Sequence, residues 1–206
     1  LDAFTYDEAS KTFTKELKDL VVGAYTVEET AYDITGKSVT VTYSAGTVKD
    51  AEGKGAKVKA DVKKGATETV AYKDDYTNDT GRLEITKTVK GDLTTTKSYT
   101  FTVTDKNNNY YDASGSASKT KVTVSVAAGS STTITNLLVG TYTVTEDVAA
   151  AEENGYTLQV TGSGASVNVT KGGTAKTTVT NTYTEKPGSL KITKSITGDL
   201  KDSNLT

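Results

Sequence analysis

Cysteine, histidine, methionine and tryptophan are all absent from this 206-residue chain. Without thiols there is no disulfide, no cysteine nucleophile and no thiolate metal ligand, and without imidazole the commonest proton shuttle and zinc ligand are gone. Most enzyme classes lose their tools, and no cofactor or metal site is expected. Charge of one sign is also missing: the formal net charge is -2, so neither a phosphate-holding stripe nor a polybasic membrane patch is available. Nucleic acid is therefore not an expected partner. No apolar run approaches the roughly 18 residues of a membrane span, and no apolar N-terminal stretch has the form of a signal peptide. Membrane insertion is not expected of this segment, and Leu1 opens in mid-pattern as a fragment or processed product would.

A single proline stands among abundant Thr, Val, Tyr and Gly, a balance suited to half-buried strands joined by polar turns. The expected class is all-β. A helix is considered only over Glu8 to Leu20.

The chain repeats itself. Gly81-Arg82-Leu83-Glu84-Ile85-Thr86-Lys87 returns as Gly188-Ser189-Leu190-Lys191-Ile192-Thr193-Lys194, an offset of 107 (194 − 87), and both runs continue into Gly-Asp-Leu at Gly91 and Gly198. Leu20 to Glu29 returns as Leu137 to Glu146, an offset of 117 (146 − 29). Repetition on this scale predicts tandem domains. The expected division is residues 1–80, a unit lacking its first strand; residues 81–187, a complete unit; and residues 188–206, the first strand of a further unit. Within the complete unit, alternation predicts strands at 83–89, 99–104, 121–126, 140–146, 156–160 and 177–183. Strands this short and this regularly spaced predict an antiparallel sandwich or partly closed barrel.

Because side chains alternate along a strand, a polar residue in apolar phase is informative. Lys87 falls in phase with Leu83, Ile85 and Val89; Glu146 with Tyr142 and Val144; Asn181 with Val179 and Tyr183. The partial copies repeat this with Glu29 after Tyr25 and Val27, Asp74 among Val70, Tyr72 and Tyr76, and Lys194 among Leu190, Ile192 and Ile196. A buried, unpaired Lys or Glu would cost several kcal/mol, so two readings follow: a buried polar network, or a reaction. Burial favours a neutral amine and a neutral acid. Lys87 can then attack the Asn181 carbonyl with Glu146 moving protons and ammonia leaving; with Asp74 as acceptor, water leaves instead.

The opening Leu-x-Ile-Thr-Lys, the central Gly-Thr-Tyr-Thr-Val-Thr-Glu and the closing Val-Thr-Asn-Thr-Tyr resemble the collagen-adhesin B-type (Cna B-type) repeats of Gram-positive surface proteins and pilins. The resemblance implies tandem immunoglobulin-like sandwiches and an isopeptide bond from the first-strand Lys to the last-strand Asn or Asp, with the central Glu as catalyst. Carried onto this chain, it implies Lys87, Asn181 and Glu146 in the complete unit, and Glu29 and Asp74 in the first, with Lys194 as a lone donor at the far end. The implied role is an extracellular stalk or pilus subunit at the cell surface or wall, not an enzyme acting on a separate substrate. Adjacent repeats or other copies of the chain are the implied partners, the latter through head-to-tail strand donation. The alternative is a ligand-binding adhesin domain recognising host protein or glycan.

Other signals are weaker. Asp105-x-Asn107-x-Asn109 opens like a calcium loop, but Tyr110 and Ser116 stand where Gly and Glu are needed, so a hairpin turn is expected. The triplets at Asn78, Asn168 and Asn204 fit the glycosylation sequon and are read as turn or strand residues. Tyr72, Tyr76, Tyr110 and Tyr111 are expected to pack in strands rather than stack on sugars.

Overall fold

The structure is a computed structural model that describes residues 3–30, 33–45, 48–52 and 57–199. The chain falls into two units, Leu1–Asp79 and Thr80–Thr206. The triplet at Asn204 lies outside the described residues.

Unit two is an all-β sandwich. Its strands are β8 (Thr80–Gly91), β9 (Ser98–Asp105), β10 (Tyr110–Tyr111), β11 (Ala117–Ser118), β12 (Val124–Ala127), β13 (Ser131–Leu138), β14 (Gly140–Glu146), β15 (Tyr156–Thr161), β16 (Ala165–Val169) and β17 (Thr174–Glu185). One turn of helix, α1 (Val148–Ala151), follows β14, with the Asp147 side chain accepting from Ala150 N at its start. One sheet runs β13-β8-β17-β15; the other runs β11-β10-β9-β14-β16, with β12 beside β9. The expected immunoglobulin-like antiparallel sandwich is what forms. Its core consists of the inward residues of both sheets, among them Leu83, Ile85, Phe101, Val103, Ile134, Leu137, Val144 and Val179, all essentially without solvent exposure.

One pairing departs from the antiparallel rule. The first strand, β8, lies parallel to the last, β17, with Lys87 opposite Val179 and Val89 opposite Asn181. Parallel neighbours need a long crossover, and here the rest of the unit supplies it. The ends of the unit thus become neighbouring strands.

Unit one contains the hairpin β1 (Thr5–Asp7) and β2 (Thr12–Thr14), then β3 (Gly23–Glu28), β4 (Lys37–Ala45), β5 (Val48–Glu52), β6 (Lys57–Val62) and β7 (Val70–Asn78). The helix expected over Glu8 to Leu20 does not form. Thr12, Phe13 and Thr14 pair as a strand with Asp7, Tyr6 and Thr5, and Lys11 takes a left-handed turn conformation at φ 53°. β-branched and aromatic side chains favour that outcome over a helix.

The rest of unit one reproduces part of unit two at register level. β3 pairs β6 as β14 pairs β16, with Ala24 opposite Asp61 and Thr141 opposite Asn168. β4 pairs β7 as β15 pairs β17: Val41 faces Asp74 and Val39 faces Tyr76, where Val160 faces Asn181 and Leu158 faces Tyr183. Even a local hydrogen bond recurs, Tyr25 Oη to Val21 O at 2.8 Å and Tyr142 Oη to Leu138 O at 2.9 Å. The difference lies at the edge. In unit two β17 sits between β15 and β8, whereas among the described residues β7 pairs only with β4.

Candidate functional site

Three polar side chains enter the core of unit two from three strands. Lys87 comes from β8 and Asn181 from β17, each 0% exposed, and Glu146 comes from the end of β14 in the facing sheet, 4% exposed. Alternation along β8 and β17 points Lys87 and Asn181 to the same side, two positions apart across the parallel ladder. The expected grouping of Lys87, Glu146 and Asn181 is therefore present as geometry.

Glu146 bridges the other two. Lys87 Nζ lies 2.9 Å from Glu146 Oε1 and donates to Oε2 at 3.0 Å. Asn181 Nδ2 donates to Glu146 Oε1 at 2.8 Å. The remaining Asn181 atom, Oδ1, is buried and receives no hydrogen bond. A buried acceptor left so costs about 1–3 kcal/mol. Burial pushes the Lys87 ammonium down from its ordinary 10.5, against the opposing pull of Glu146.

Aromatic side chains close the pocket. The Tyr99 ring centroid lies 4.5 Å from Lys87 Nζ, a cation–π contact that offsets a small part of the cost of removing a charge from water. Tyr99 and Tyr183 hydroxyls meet at 3.2 Å, and Tyr183 Oη donates to Ala151 O at 2.5 Å, which places α1 as a lid over this end of the core. Lys97, from the turn before β9, pairs with Glu153 beyond α1 and also approaches the Tyr99 ring, at 5.4 Å. The cover was not legible from strand parity, because Ala151 lies in α1 and Glu153 just beyond it. A carboxylate pair flanking an Ala run after the Glu146 strand is the only sequence hint of a cover.

Unit one holds two of the three groups. Glu29 follows β3 and Asp74 lies on β7, both half-buried. Glu29 Oε2 and Asp74 Oδ1 are shielded from solvent and have no donor facing them. Burial, then the charge of Asp74, pushes the Glu29 carboxyl above its ordinary 4.5. Tyr76 Oη donates to Asp74 Oδ2 at 3.2 Å. Residues 188–199, which carry Lys194, form no strand, and Leu190 and Ile192 are 85% and 83% exposed.

The weaker signals resolve simply. Asp105 closes a hairpin turn, accepting from Asn107 N at 2.8 Å, Asn109 N at 2.9 Å, Asn109 Nδ2 at 2.7 Å and Tyr111 Oη at 3.0 Å. Tyr111 is buried edge-on against Tyr142 at 5.1 Å. Asn78 and Asn168 lie in β7 and β16. Among the described residues no group of three acidic side chains is placed to hold a metal ion, and no helix is long and apolar enough to cross a membrane.

No curated protein matches the chain. Among solved structures it is similar to the major pilin of Streptococcus pyogenes, at 19% identity and a TM-score of 0.41, over 82% of this chain and 69% of that one. The minor pilin of the Gram-positive pathogen Streptococcus agalactiae is similar at 17% identity and a TM-score of 0.39, over 72% and 69% of the two chains. A pilus-presented adhesin is similar at 20% identity and a TM-score of 0.34 over 52% of this chain, which spans 27% of that protein. All three are pilus proteins, the class that the sequence motifs resemble. Residues 83–184, which run from the first core residue of β8 almost to the end of β17, match the family described as a domain of unknown function (DUF5979).

Proposed function

We propose that this chain is a load-bearing segment of a bacterial surface fibre, and that unit two locks itself with an isopeptide bond from Lys87 to Asn181. The observation that carries the proposal is Glu146, which contacts both the attacking nitrogen and the leaving nitrogen inside a closed core.

Glu146 first takes a proton from Lys87, leaving a neutral amine and a neutral acid where an ion pair was. Lys87 Nζ then adds to the Asn181 side-chain carbonyl carbon, and Glu146 relays a proton to Nδ2, which departs as ammonia. The proton count closes. Of the three protons on Lys87 Nζ, one stays on the new amide, one leaves with ammonia and one remains on Glu146. That last O–H can donate to Asn181 Oδ1, the acceptor that had no partner before the reaction. The product thus removes a buried ion pair and satisfies a buried carbonyl together. An amide carbon is a weak electrophile, and fixed contact substitutes for activation: positioning of this kind is worth effective molarities of order 10⁵ M.

The parallel register gives the bond its mechanical sense. Thr80 and Glu185 lie towards opposite ends of the β8–β17 pair, so tension entering at one and leaving at the other runs along β8 to Lys87, across the bond, and out along β17. The remainder of the unit is outside that path. Unit one carries the acceptor half of the same chemistry in Glu29 and Asp74, and assembly through a donated strand extends the same reading to it.

Intact mass of the folded chain tests the bond. A deficit of one ammonia, abolished in Glu146→Gln and in Lys87→Arg, is expected. A mass equal to the unmodified sequence would return the three residues to a simple polar network.

A further inference from the structure

Asn154-Gly155 is the one Asn-Gly pair in the sequence, and the structure sets it in the turn between α1 and β15 with both residues exposed. We infer that this turn is a site of spontaneous self-modification, at which Asn154 loses its side-chain amide through a cyclic imide and becomes aspartate or isoaspartate. The inference does not rest on the bond proposed between Lys87 and Asn181.

Ring closure brings the backbone nitrogen of the following residue onto the asparagine side-chain carbon. Proximity favours it; a side chain on that residue or a fixed backbone opposes it. Gly155 carries no side chain, and a Cβ built there would meet nothing within 4 Å. Its φ of +83° lies where glycine moves most freely, and its nitrogen donates to no backbone acceptor among the described residues. The other asparagines are placed differently. Asn78, Asn168 and Asn181 lie in β7, β16 and β17, each followed by a residue with a side chain. In the Asp105 turn, Asn109 is held through Nδ2 at 2.7 Å, and Asn107 and Asn108 each precede another asparagine. Asn136 precedes the buried Leu137.

The chemistry balances with water as the co-reactant. Gly155 N gives its proton to solvent base and bonds to Asn154 Cγ; the Cγ–Nδ2 bond breaks, and Nδ2 takes a solvent proton and departs as ammonia. Water then opens the imide. Attack at Cγ restores the ordinary peptide with an aspartate side chain, whereas attack at the main-chain carbonyl leaves the chain running through Cβ and Cγ, one methylene longer. In sum, an amide and a water become a carboxylic acid and ammonia.

The position of the turn decides what yields. Before it, Glu153 is paired with Lys97; after it, Tyr156 begins a pairing of six positions between β15 and β17. Lys186 N donates to Gly155 O at 2.9 Å and Tyr156 N to Glu153 O at 3.2 Å. The lid is the weaker side, a single turn fastened by the partly exposed Lys97–Glu153 pair and by Tyr183 Oη on Ala151 O. The new carboxylate also stands beside Glu152 and Glu153, where like charges repel. Conversion should therefore loosen α1 and leave β15 paired.

The full chain, aged in mildly alkaline buffer and digested, should show acid in place of amide at residue 154 with the isoaspartyl linkage present. Asn107, Asn108, Asn109 and Asn136 should remain amides over the same period, and Asn154→Gln should stop the conversion. Hydrogen exchange on the aged chain should show lost protection at Ala151 N, which donates to Asp147 O at 3.2 Å, and unchanged protection along β15. An intact Asn154 beside converted Asn107, Asn108 or Asn109, or acid at 154 in the ordinary linkage alone, would overturn the imide site. Lost protection along β15 with α1 unchanged would overturn the assignment of the slack to the lid. Ammonia lost between Lys87 and Asn181 is counted separately, since no water enters there and Asn154→Gln leaves it untouched.

Discussion

The two units share four strands in the same register, yet one seals its polar residues completely and the other leaves them half-open. In unit two Lys87, Glu146 and Asn181 are out of reach of water. In unit one Glu29 and Asp74 are only partly covered, and among the described residues the buried apolar positions are Val41, Ala45, Val58 and Ala60. The four shared strands therefore make a frame but not a core. In unit two, three further strands fill the core: β8 contributes Leu83 and Ile85, its neighbour β13 contributes Ile134 and Leu137, and β9 of the facing sheet contributes Phe101 and Val103. Lys87 travels on the strand that also supplies the desolvation, so amine and dry pocket arrive together. The reaction proposed for this site would have to follow folding of the unit.

The comparison can be broken most severely at Lys87. Lys87→Ala removes the proposed bond, whose closed loop of roughly a hundred residues would be worth about 4–5 kcal/mol by the chain-entropy model, and strands Glu146 in the core at a cost of the same order. Denaturant unfolding of unit two should then fall to the level of unit one. Glu146→Gln keeps the volume and loses the proton relay; unit two should keep its ammonia, lose the roughly 4–5 kcal/mol of the proposed bond, and lose further stability because Lys87 is left without its carboxylate.

Gly91→Ala sets a Cβ against Tyr183 O in a left-handed conformation and should cost at least about 1–3 kcal/mol, seen as a lowered midpoint for unit two alone. Acid should move the units in opposite directions. The Glu29 carboxyl is raised, by burial and then by Asp74, so folded unit one holds that proton more tightly than the unfolded chain does. Its stability is lost as pH rises through the raised value and recovered as pH falls towards 4.5; Glu29→Gln should flatten the effect. Asp105 behaves inversely: burial pushes it up, but hydrogen bonds from Asn109, Asn107 and Tyr111 outweigh this and hold it below 3.8. Its contribution to unit two is present above 3.8 and disappears as pH falls below it. Melting curves of the full chain across the acid range read both. The smallest effect belongs to the surface pair Lys176–Glu84, at 3.0 Å and largely solvated; Lys176→Ala should change stability by less than about 1 kcal/mol.

Much of this was legible in the sequence because parity is a strict rule along a strand. Lys87, Glu146 and Asn181 each violate an otherwise apolar face, and the structure puts Lys87 and Asn181 each within hydrogen-bond reach of Glu146. The strand at Gly140–Glu146 was readable to the residue. Others were not. β13 opens Ser-Thr-Thr, which reads as a turn, and its alternation breaks at a bulge between Ile134 and Leu137, where Asn136 takes φ 58°. A bulge shifts the phase on which the period-two reading depends. β16 is built from Ala, Ser and Val around an Asn and carries little apolar signal, since its burial comes from β14 rather than from its own composition. The lid formed by α1 depends on contacts to Tyr183 that lie far apart in sequence, and no local pattern encodes them.

The parallel placement of the first and last strands also has a meaning for proteolysis. Once Lys87 and Asn181 are joined, every loop between them, from the Asp92 turn to the Gly162–Gly164 hairpin, belongs to a covalent ring. A protease that nicks the exposed Ser114–Ser116 turn opens the ring and leaves the line intact, so a cut chain still migrates as one piece after boiling. Only the short stretches outside the ring, such as Glu185-Lys186-Pro187-Gly188, would part the chain when cleaved. With the proposed bond in place, vulnerability contracts from the whole sequence to its linkers, and the lone proline stands in one of them.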